Sequence, residues 1–488
     1  MNFLIDTNIV IPMEPGSFFD LGVNTSLALE FHKLANKSGN HIFIHPVIEH
    51  DINRDQNKER AGLRKTLLER YNRISSPPGI NKLDQTIFKK SVEGTNDWVD
   101  DNLLAAVYAD CVDYLVTEDI EIHKKAKLIG LSSRVLLLVD AISIIKDLFD
   151  ELPTPPPAVE LVYAYELDEN DPIFKTLQSD YQDFNSWLNK CKREHREAYI
   201  IKDKKENNLA GVCILKKEDK LPNGTIGKTL KLCTVKVSPE HEGNRYGELL
   251  LKTIFDYTRI NDYDYVYFTV FPKQQKLIMF AKDFGFYEIK AIDGELILAK
   301  DFKITKEDYN NLSSIDLHIR YGPSVTKFVG NSNFIIPVQP QYHIMLFPEI
   351  ERQQALFPGK HPCGNSIKKA YLSHSSTKLI KRGDNIFFYR SQDKHAITVL
   401  GIAEGTIRSN NADEIARYVG KRTVYTYKEI ENMCNSEVLA IKFRLVCFLK
   451  EPVTLKTLLD KKVINGQPQS ITKIGEEGIL WLQEQTQM

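Results

Sequence analysis

Over its first 150 residues the chain alternates short, wholly apolar runs with stretches of helical spacing, and several of the runs stop at an acid. Continuous hydrophobes bounded by polar turn formers read as strands buried on both faces. Strands that alternate with helices predict a three-layer α/β fold with a mainly parallel sheet. Asn2-Phe3-Leu4-Ile5 runs into Asp6, and Tyr114-Leu115-Val116-Thr117 stops just short of Asp119. Ile42-Phe43-Ile44-His45 meets Pro46, which suits the first turn of a helix, and Glu49 falls within that turn. Asp101 opens the helically spaced Asp101-Asn102-Leu103-Leu104-Ala105-Ala106-Val107, while a last strand over 135–139 and a helix over 141–149 close the unit.

In an open α/β sheet the strand ends converge on one crevice, so acids placed there can share a divalent cation. Mg²⁺ and Mn²⁺ prefer oxygen ligands, and a water acidified by either ion can attack a phosphodiester. Thr7, Asn8 and Thr117 stand beside the acids and can orient them or that water. Asp51 and Asp55 are alternatives to Glu49, Asp97 and Asp100 to Asp101, and Glu118 to Asp119. The competing reading makes each Asp a turn former or helix cap only. The segments FLIDTN, VIEH, DNLLAAVYA and LVTED occur in the order in which the PIN-domain ribonucleases carry their acids, and residues 1–150 resemble that family. The resemblance implies catalytic roles for Asp6, Glu49, Asp101 and Asp119, and a Mg²⁺ or Mn²⁺ ion held by Asp6, Asp101 and Asp119. It also implies endoribonuclease activity of a toxin-like or defence type, an antitoxin or other protein partner, and a homodimer.

At 488 residues the chain has room for about three domains. A formal net charge of -1 leaves any contact with RNA to local patches. Seven cysteines without CxxC spacing read as reduced thiols. Met1 leads straight into a strand and no apolar run reaches the length of a membrane span, so a cytoplasmic protein without a membrane partner is expected.

Leu152-Pro153-Thr154-Pro155-Pro156-Pro157 ends the first domain, because such a run cannot continue a helix. Beyond it come helical segments, then strands joined through Leu221-Pro222-Asn223-Gly224, then Thr234-Val235-Lys236-Val237-Ser238-Pro239-Glu240-His241-Glu242-Gly243-Asn244-Arg245-Tyr246-Gly247-Glu248. A strand, a Gly-containing loop and an amphipathic helix present backbone N–H groups where a pyrophosphate can be cradled. With the strand 265–270 and the segment Ala281-Lys282-Asp283-Phe284-Gly285-Phe286, residues 159–303 resemble the GNAT N-acetyltransferases, a mixed α/β fold. The resemblance implies acetyl-CoA held around Val237, Gly243, Arg245, Tyr246, Gly247 and Glu248. Two departures stand out: the family usually has Arg or Gln where Glu242 stands and Gly where Arg245 stands, and Ala281 occupies the place of a proton-donating Tyr. His241, Tyr246 and Tyr257 are candidate substitutes, and a fold kept for binding alone is the rival reading.

The C-terminal third, 338–488, carries KRGDNIFFYRS, TVLGIAEG and GQPQSITKI, and resembles the PUA-like β-barrels of ASCH and EVE type. Bases stack on aromatic faces while Lys and Arg follow phosphates. The resemblance thus points to RNA or modified-base contacts at Lys381, Arg382, Tyr389, Arg390 and Gln469, with Lys368, Lys369, Gln467 and Ser470 as further candidates. The combined expectation is a multidomain α/β protein that cleaves structured tRNA, rRNA or mRNA, its middle domain modifying the RNA or regulating cleavage. The alternative is an acetyl-CoA-dependent N-acetyltransferase acting on RNA or protein, with a non-catalytic PIN-like domain.

Overall fold

The computed structural model describes residues 1–13, 24–80, 91–149, 158–203, 208–351 and 362–486, together with 22, 83 and 88. Contacts divide the chain into two compact units. One comprises Met1–Glu151 with Ser409–Lys421 and Tyr425–Glu437; the other comprises Leu152–Arg408, Arg422–Val424 and Val438–Met488. No helix among the described residues is long and apolar enough to cross a membrane.

The first unit is built on β1 (Asn2–Ile5), β2 (His41–Ile44), β3 (Asn72–Arg73), β4 (Tyr114–Val116) and β5 (Val135–Leu136). Their order is β3-β2-β1-β4-β5 and every pairing is parallel. Phe3, Leu4, Ile5, Leu115 and Val116 are wholly buried, which is why these strands are continuously apolar. Local caps set the helices that matter here: Thr95 accepts the amide of Trp98 ahead of Asn96–Tyr108, and Asp119 accepts that of Glu121 ahead of Ile120–Leu128. Successive strands step one way from β1 to β2 and the other way from β4 to β5. The strand order therefore reverses between β1 and β4, and their carboxyl ends open into a crevice.

The helices Ala412–Val419 and Tyr427–Met433 belong to this unit, although their sequence lies within the C-terminal third. Arg417 donates to Asp113 at 3.2 Å, its carbonyl accepts the Tyr114 hydroxyl, and Tyr427 stacks on Phe149 with centroids 5.0 Å apart.

The second unit contains two sheets. The first consists of β6 (Val159–Tyr163), β7 (Glu197–Lys202), β8 (Leu209–Lys220), β9 (Ile226–Val237), β10 (Tyr265–Val270), β11 (Tyr287–Ile292) and β12 (Glu295–Asp301), in the order β11-β12-β10-β9-β8-β7-β6. Only β9 and β10 pair in parallel, and the helix Tyr246–Ile260 makes the crossover between them. Leu249, Leu250, Ile254 and Phe255 of that helix bury against Ile201, Leu230, Val266 and Leu298. On the opposite face Phe184, Leu188 and Cys191 cover Ile200, Val212 and Ile214.

The remaining sheet contains β13 (Asn333–Val338), β14 (Lys368–Ser373), β15 (Asn385–Arg390), β16 (Ala396–Ser409), β17 (Val438–Thr454) and β18 (Thr472–Lys473), ordered β14-β17-β16-β15-β13-β18. A closed barrel is the expectation from sequence; among the described residues the pairings run as an open order of six strands. Phe387 and Tyr389 enter one core with Ile335, Ile397 and Leu400, while Phe388 packs on Phe347 and Phe443. Both faces of β15 are thus covered.

The helix Ser314–Tyr321 lies against β12. Lys300 of β12 is buried and donates to the carbonyls of Ile319 and Arg320 at 2.8 and 2.7 Å, satisfying acceptors that the helix end leaves open. Gly285 makes the approach possible. It has φ +88°, and a Cβ there would fall on the carbonyl oxygen of Ile319, far inside contact distance. Gly285→Ala is therefore expected to lower stability by more than about 2 kcal/mol, through left-handed backbone strain plus the clash. A thermal or urea melt of the full chain measures this, and a loss below about 0.5 kcal/mol contradicts the packing.

Candidate functional site

Asp6 follows β1 into the crevice of the first unit and is 5% exposed. Its carboxylate accepts from the Thr7 amide at 2.6 Å, Asn8 Nδ2 at 2.6 Å and Thr117 Oγ1 at 2.7 Å. Burial nevertheless pushes its pKa up to about 6, against those hydrogen bonds and with help from the negative charges of Asp51 and Asp119. Asp100 is pushed up to about 7, first by burial and then by Asp119, with Asp6 and Asp101 adding and Lys125 opposing.

The carboxylates that act on Asp6 or Asp100 thus include Asp51, Asp101 and Asp119, so three of the four positions expected from sequence, Asp6, Asp101 and Asp119, share this neighbourhood with the alternatives Asp51 and Asp100. Glu49 lies instead against Arg73, with 2.6 Å between the charged atoms. Asp101 is buried but taken by Lys125 at 2.8 Å. The reason is helical phase. Asp97 and Asp101 stand four residues apart on one face and both meet Lys125, while Asp100 lies a third of a turn away. Asp51 is placed by Thr7, whose hydroxyl donates to it at 3.0 Å, and Asp119 keeps its role as a helix cap. Asp55 is tied to Arg60 and Arg64, and Glu118 accepts the Leu138 amide. Among the described residues no three His, Cys, Asp or Glu side chains gather closely enough to hold a metal ion.

In the second unit β9 and β10 pair only over Thr229–Lys231 and Tyr265–Tyr267, after which they part. From Leu232 to Val237 strand β9 keeps its bonds to β8 alone, so its other edge faces a gap. The helix Tyr246–Ile260 begins beside the end of β9, after a loop in which Gly243 has φ +86° and Arg245 φ +59°. Arg245 occupies a left-handed cap that glycine would enter at about 1 kcal/mol less cost. The cap supplies no side-chain acceptor, and the amides of Tyr246, Gly247 and Glu248 donate to nothing among the described residues. Three N–H groups at the positive end of a fifteen-residue helix are what an anion would meet.

Other groups around this loop are committed. His241 lies 3.2 Å from the Asp203 carboxylate and stacks on Tyr246, with centroids 5.5 Å apart. Tyr257 donates to Glu197 at 2.6 Å, and burial together with that carboxylate raises its pKa. Ala281 is part of the hydrophobic core. Arg245 is 7% exposed and points at Ser366, and Val237 ends β9 opposite Gly211. Sequence reasoning passed over Tyr181. Its ring stacks on Phe271, the residue after β10, and its hydroxyl donates to Glu295 at the start of β12. A phenol thus sits where two strands end. The only signal for it in the sequence is an aromatic residue between two helices.

The five residues expected to touch RNA divide. Lys381, Arg382 and Gln469 are exposed, Arg382 lying 3.8 Å from Asp316. Tyr389 is wholly buried with its hydroxyl 3.4 Å from His395 Nδ1, and Arg390 is buried and paired with Asp393. Neither can present a face or a charge to a nucleic acid. Lys368 and Lys369 are buried as well. Strand alternation suggests one wet face for β15, but the sheet has none there.

Residues 161–286 match the Acetyltransf_1 family model, described as the acetyltransferase (GNAT) family. No curated protein matches the chain. Among solved structures, the chain is similar to ASCH from Zymomonas mobilis at 12% identity, covering 31% of this chain and 94% of that one with TM-score 0.25. It is also similar to the IAA acetyltransferase from Bacillus cereus at 11% identity, covering 30% and 99% with TM-score 0.24. A GNAT family acetyltransferase from Elizabethkingia anophelis with acetyl-CoA bound matches at 13% identity, covering 29% and 97% with TM-score 0.20. The family match spans about a quarter of the chain, and within that span, residues 161–286, the protein carries a GNAT acetyltransferase domain.

Proposed function

We propose that the protein is an acetyl-CoA-dependent N-acyltransferase acting on RNA or protein, with a first unit that takes no part in the chemistry. The observation that carries this reading is the parting of β9 from β10 inside the segment that matches the GNAT family. An extended acyl-CoA arm fits such a gap, because the free edge of β9 offers backbone groups to pair with it. The same edge can donate to the oxygen that becomes negative when an acceptor amine attacks the thioester. The open amides of Tyr246, Gly247 and Glu248 then receive the phosphates. Ala281 cannot protonate the departing thiolate, so that proton comes from another hydroxyl, for which Tyr181 is the candidate, or from water. RNA, if it is the acceptor, is held by the exposed Lys381, Arg382 and Gln469.

A second reading, RNA cleavage in the acidic crevice, is favoured by one observation: Asp6 and Asp100 carry raised pKa values among like charges.

Three measurements separate these readings. Calorimetric titration of the full chain with acetyl-CoA should give saturable heat, and Gly247→Val, which crowds the open amides and Phe280, should weaken binding at least tenfold. No heat in the parent removes the acyl-CoA reading. Incubation with total RNA and Mn²⁺ should leave the RNA intact; cleavage by the parent but not by Asp6→Asn would instead establish the second reading. Stability supplies the third. Both Asp6 and Asp100 bind protons more tightly folded than unfolded, so their contribution is full below about pH 4 and is lost as pH rises through about 6 to 7. Between pH 5 and pH 8 the first unit should lose on the order of 2 kcal/mol from Asp6, and Asp6→Asn should flatten that difference in thermal melts. An unchanged pH slope would show that Asp6 is not held protonated.

A further inference from the structure

Along one side, the first turns of the helix Tyr246–Ile260 are bound by residues 364–368 of the same chain. Glu248 accepts the amides of Ile367 at 3.0 Å and Lys368 at 3.5 Å. Arg245 Nη1 donates to Ser366 Oγ at 3.1 Å, and Asn365 Nδ2 reaches the Asn244 carbonyl at 3.4 Å. Further along, Lys252 Nζ donates to the Gly364 carbonyl at 3.3 Å. Positions 245, 248 and 252 recur at helical spacing and so form a single stripe. Ile367 completes the contact by packing into the hydrophobic cluster that the helix forms with its sheet. Of these five residues, Asn365, Ser366 and Lys368 are polar and buried, which is unusual for a segment that merely leads into a strand.

The stripe borders the three open amides. A phosphate settling on those amides meets the Glu248 carboxylate next to it, while the Arg245 guanidinium at the cap is turned away toward Ser366. Gly247 presses against Phe280, whose ring lies 3.4 Å from where a Cβ would be, so the other side of the turn is narrow too. With residues 364–368 in place, the cap presents an acid to an incoming anion and withholds its cation.

We propose that residues 364–368 form a latch that must release this helix before acetyl-CoA can seat its phosphates, so that whatever the C-terminal third binds sets acyl-CoA affinity. The inference rests on the acyl-CoA reading given above. Release frees Arg245 from Ser366 and lets its guanidinium swing to the phosphate, supplying the charge that the glycine of the usual family pattern does not carry. Ser366 and Glu248 are the positioning groups of the latched state.

The test uses the full chain and acetyl-CoA as the probe. Ser366→Ala removes one acceptor of Arg245 and is expected to tighten acetyl-CoA binding roughly tenfold by calorimetry, the equivalent of one lost hydrogen bond to a charged group. Hydrogen exchange on the unaltered protein needs no variant: saturating acetyl-CoA should speed exchange at the amides of Ile367 and Lys368, which Glu248 protects in the latched state. Equal or weaker affinity in a folded Ser366→Ala protein, or unchanged exchange at those two amides with acetyl-CoA bound, overturns the latch and leaves the acyl-CoA reading standing. No heat from either protein overturns both.

Discussion

Between Leu232 and Val237 a strand runs on without its parallel neighbour, and the chemistry available to the second unit depends on that interruption. A sheet whose strands paired throughout would have no interior edge to offer a ligand. Here the crossover helix Tyr246–Ile260 packs Leu249, Leu250 and Ile254 into the sheet and thereby fixes its amino end beside the parting strands. The open edge, the three open amides and the left-handed cap at Arg245 all follow from that one placement.

The C-terminal sheet meets residues of this domain through buried ions. Arg444 is 4% exposed; its guanidinium meets Glu404 at 2.6 Å and the Asp283 carbonyl at 3.0 Å, while Arg422 also pairs with Glu404 and Lys368 with Asp283. Burial alone would raise the pKa of Glu404, yet Arg422 and Arg444 override it and keep the carboxylate ionised well below the usual range. Asp283 ends the helix Gln275–Asp283 that follows β10, whereas Glu404 and Arg444 belong to β16 and β17. The network therefore ties the acyltransferase domain to the C-terminal sheet, and residues 364–368 run between them. Removing one member strands a buried charge, so such a tie specifies geometry more than it adds stability.

The first unit shows how nearly equivalent acids come apart in three dimensions. FLIDTN and LVTED deliver Asp6 and Asp119 to the switch point between β1 and β4, because Asp6 directly follows, and Asp119 stands three residues past, an apolar strand whose end is set by burial. The other two positions fall on helices, where a shift of one residue turns a side chain through about 100°. Asp100 and Asp101 share one neighbourhood with Asp119, Asp101 being held by Lys125, while Asp51 acts on Asp6 and Glu49 meets Arg73. In β15 the resemblance offered Tyr389 and Arg390 of KRGDNIFFYRS as RNA contacts, yet layers from distant sequence cover both faces.

Taken by itself, the amino-acid sequence determined the elements and their class: parallel strands and helices to about residue 150, a strand–loop–helix at 237–247, and a sheet-rich C-terminal third. Apolar period, Pro and Gly punctuation and capping residues are local, so they survive in one dimension. Tertiary structure alone decided which acids meet and that Tyr389 and Arg390 are interior. It also decided that the helices Ala412–Val419 and Tyr427–Met433 join the first unit and that Ser366 and Ile367 lie on the helix Tyr246–Ile260. Those outcomes turn on contacts between residues distant in the chain, and on helical phase finer than sequence spacing can resolve.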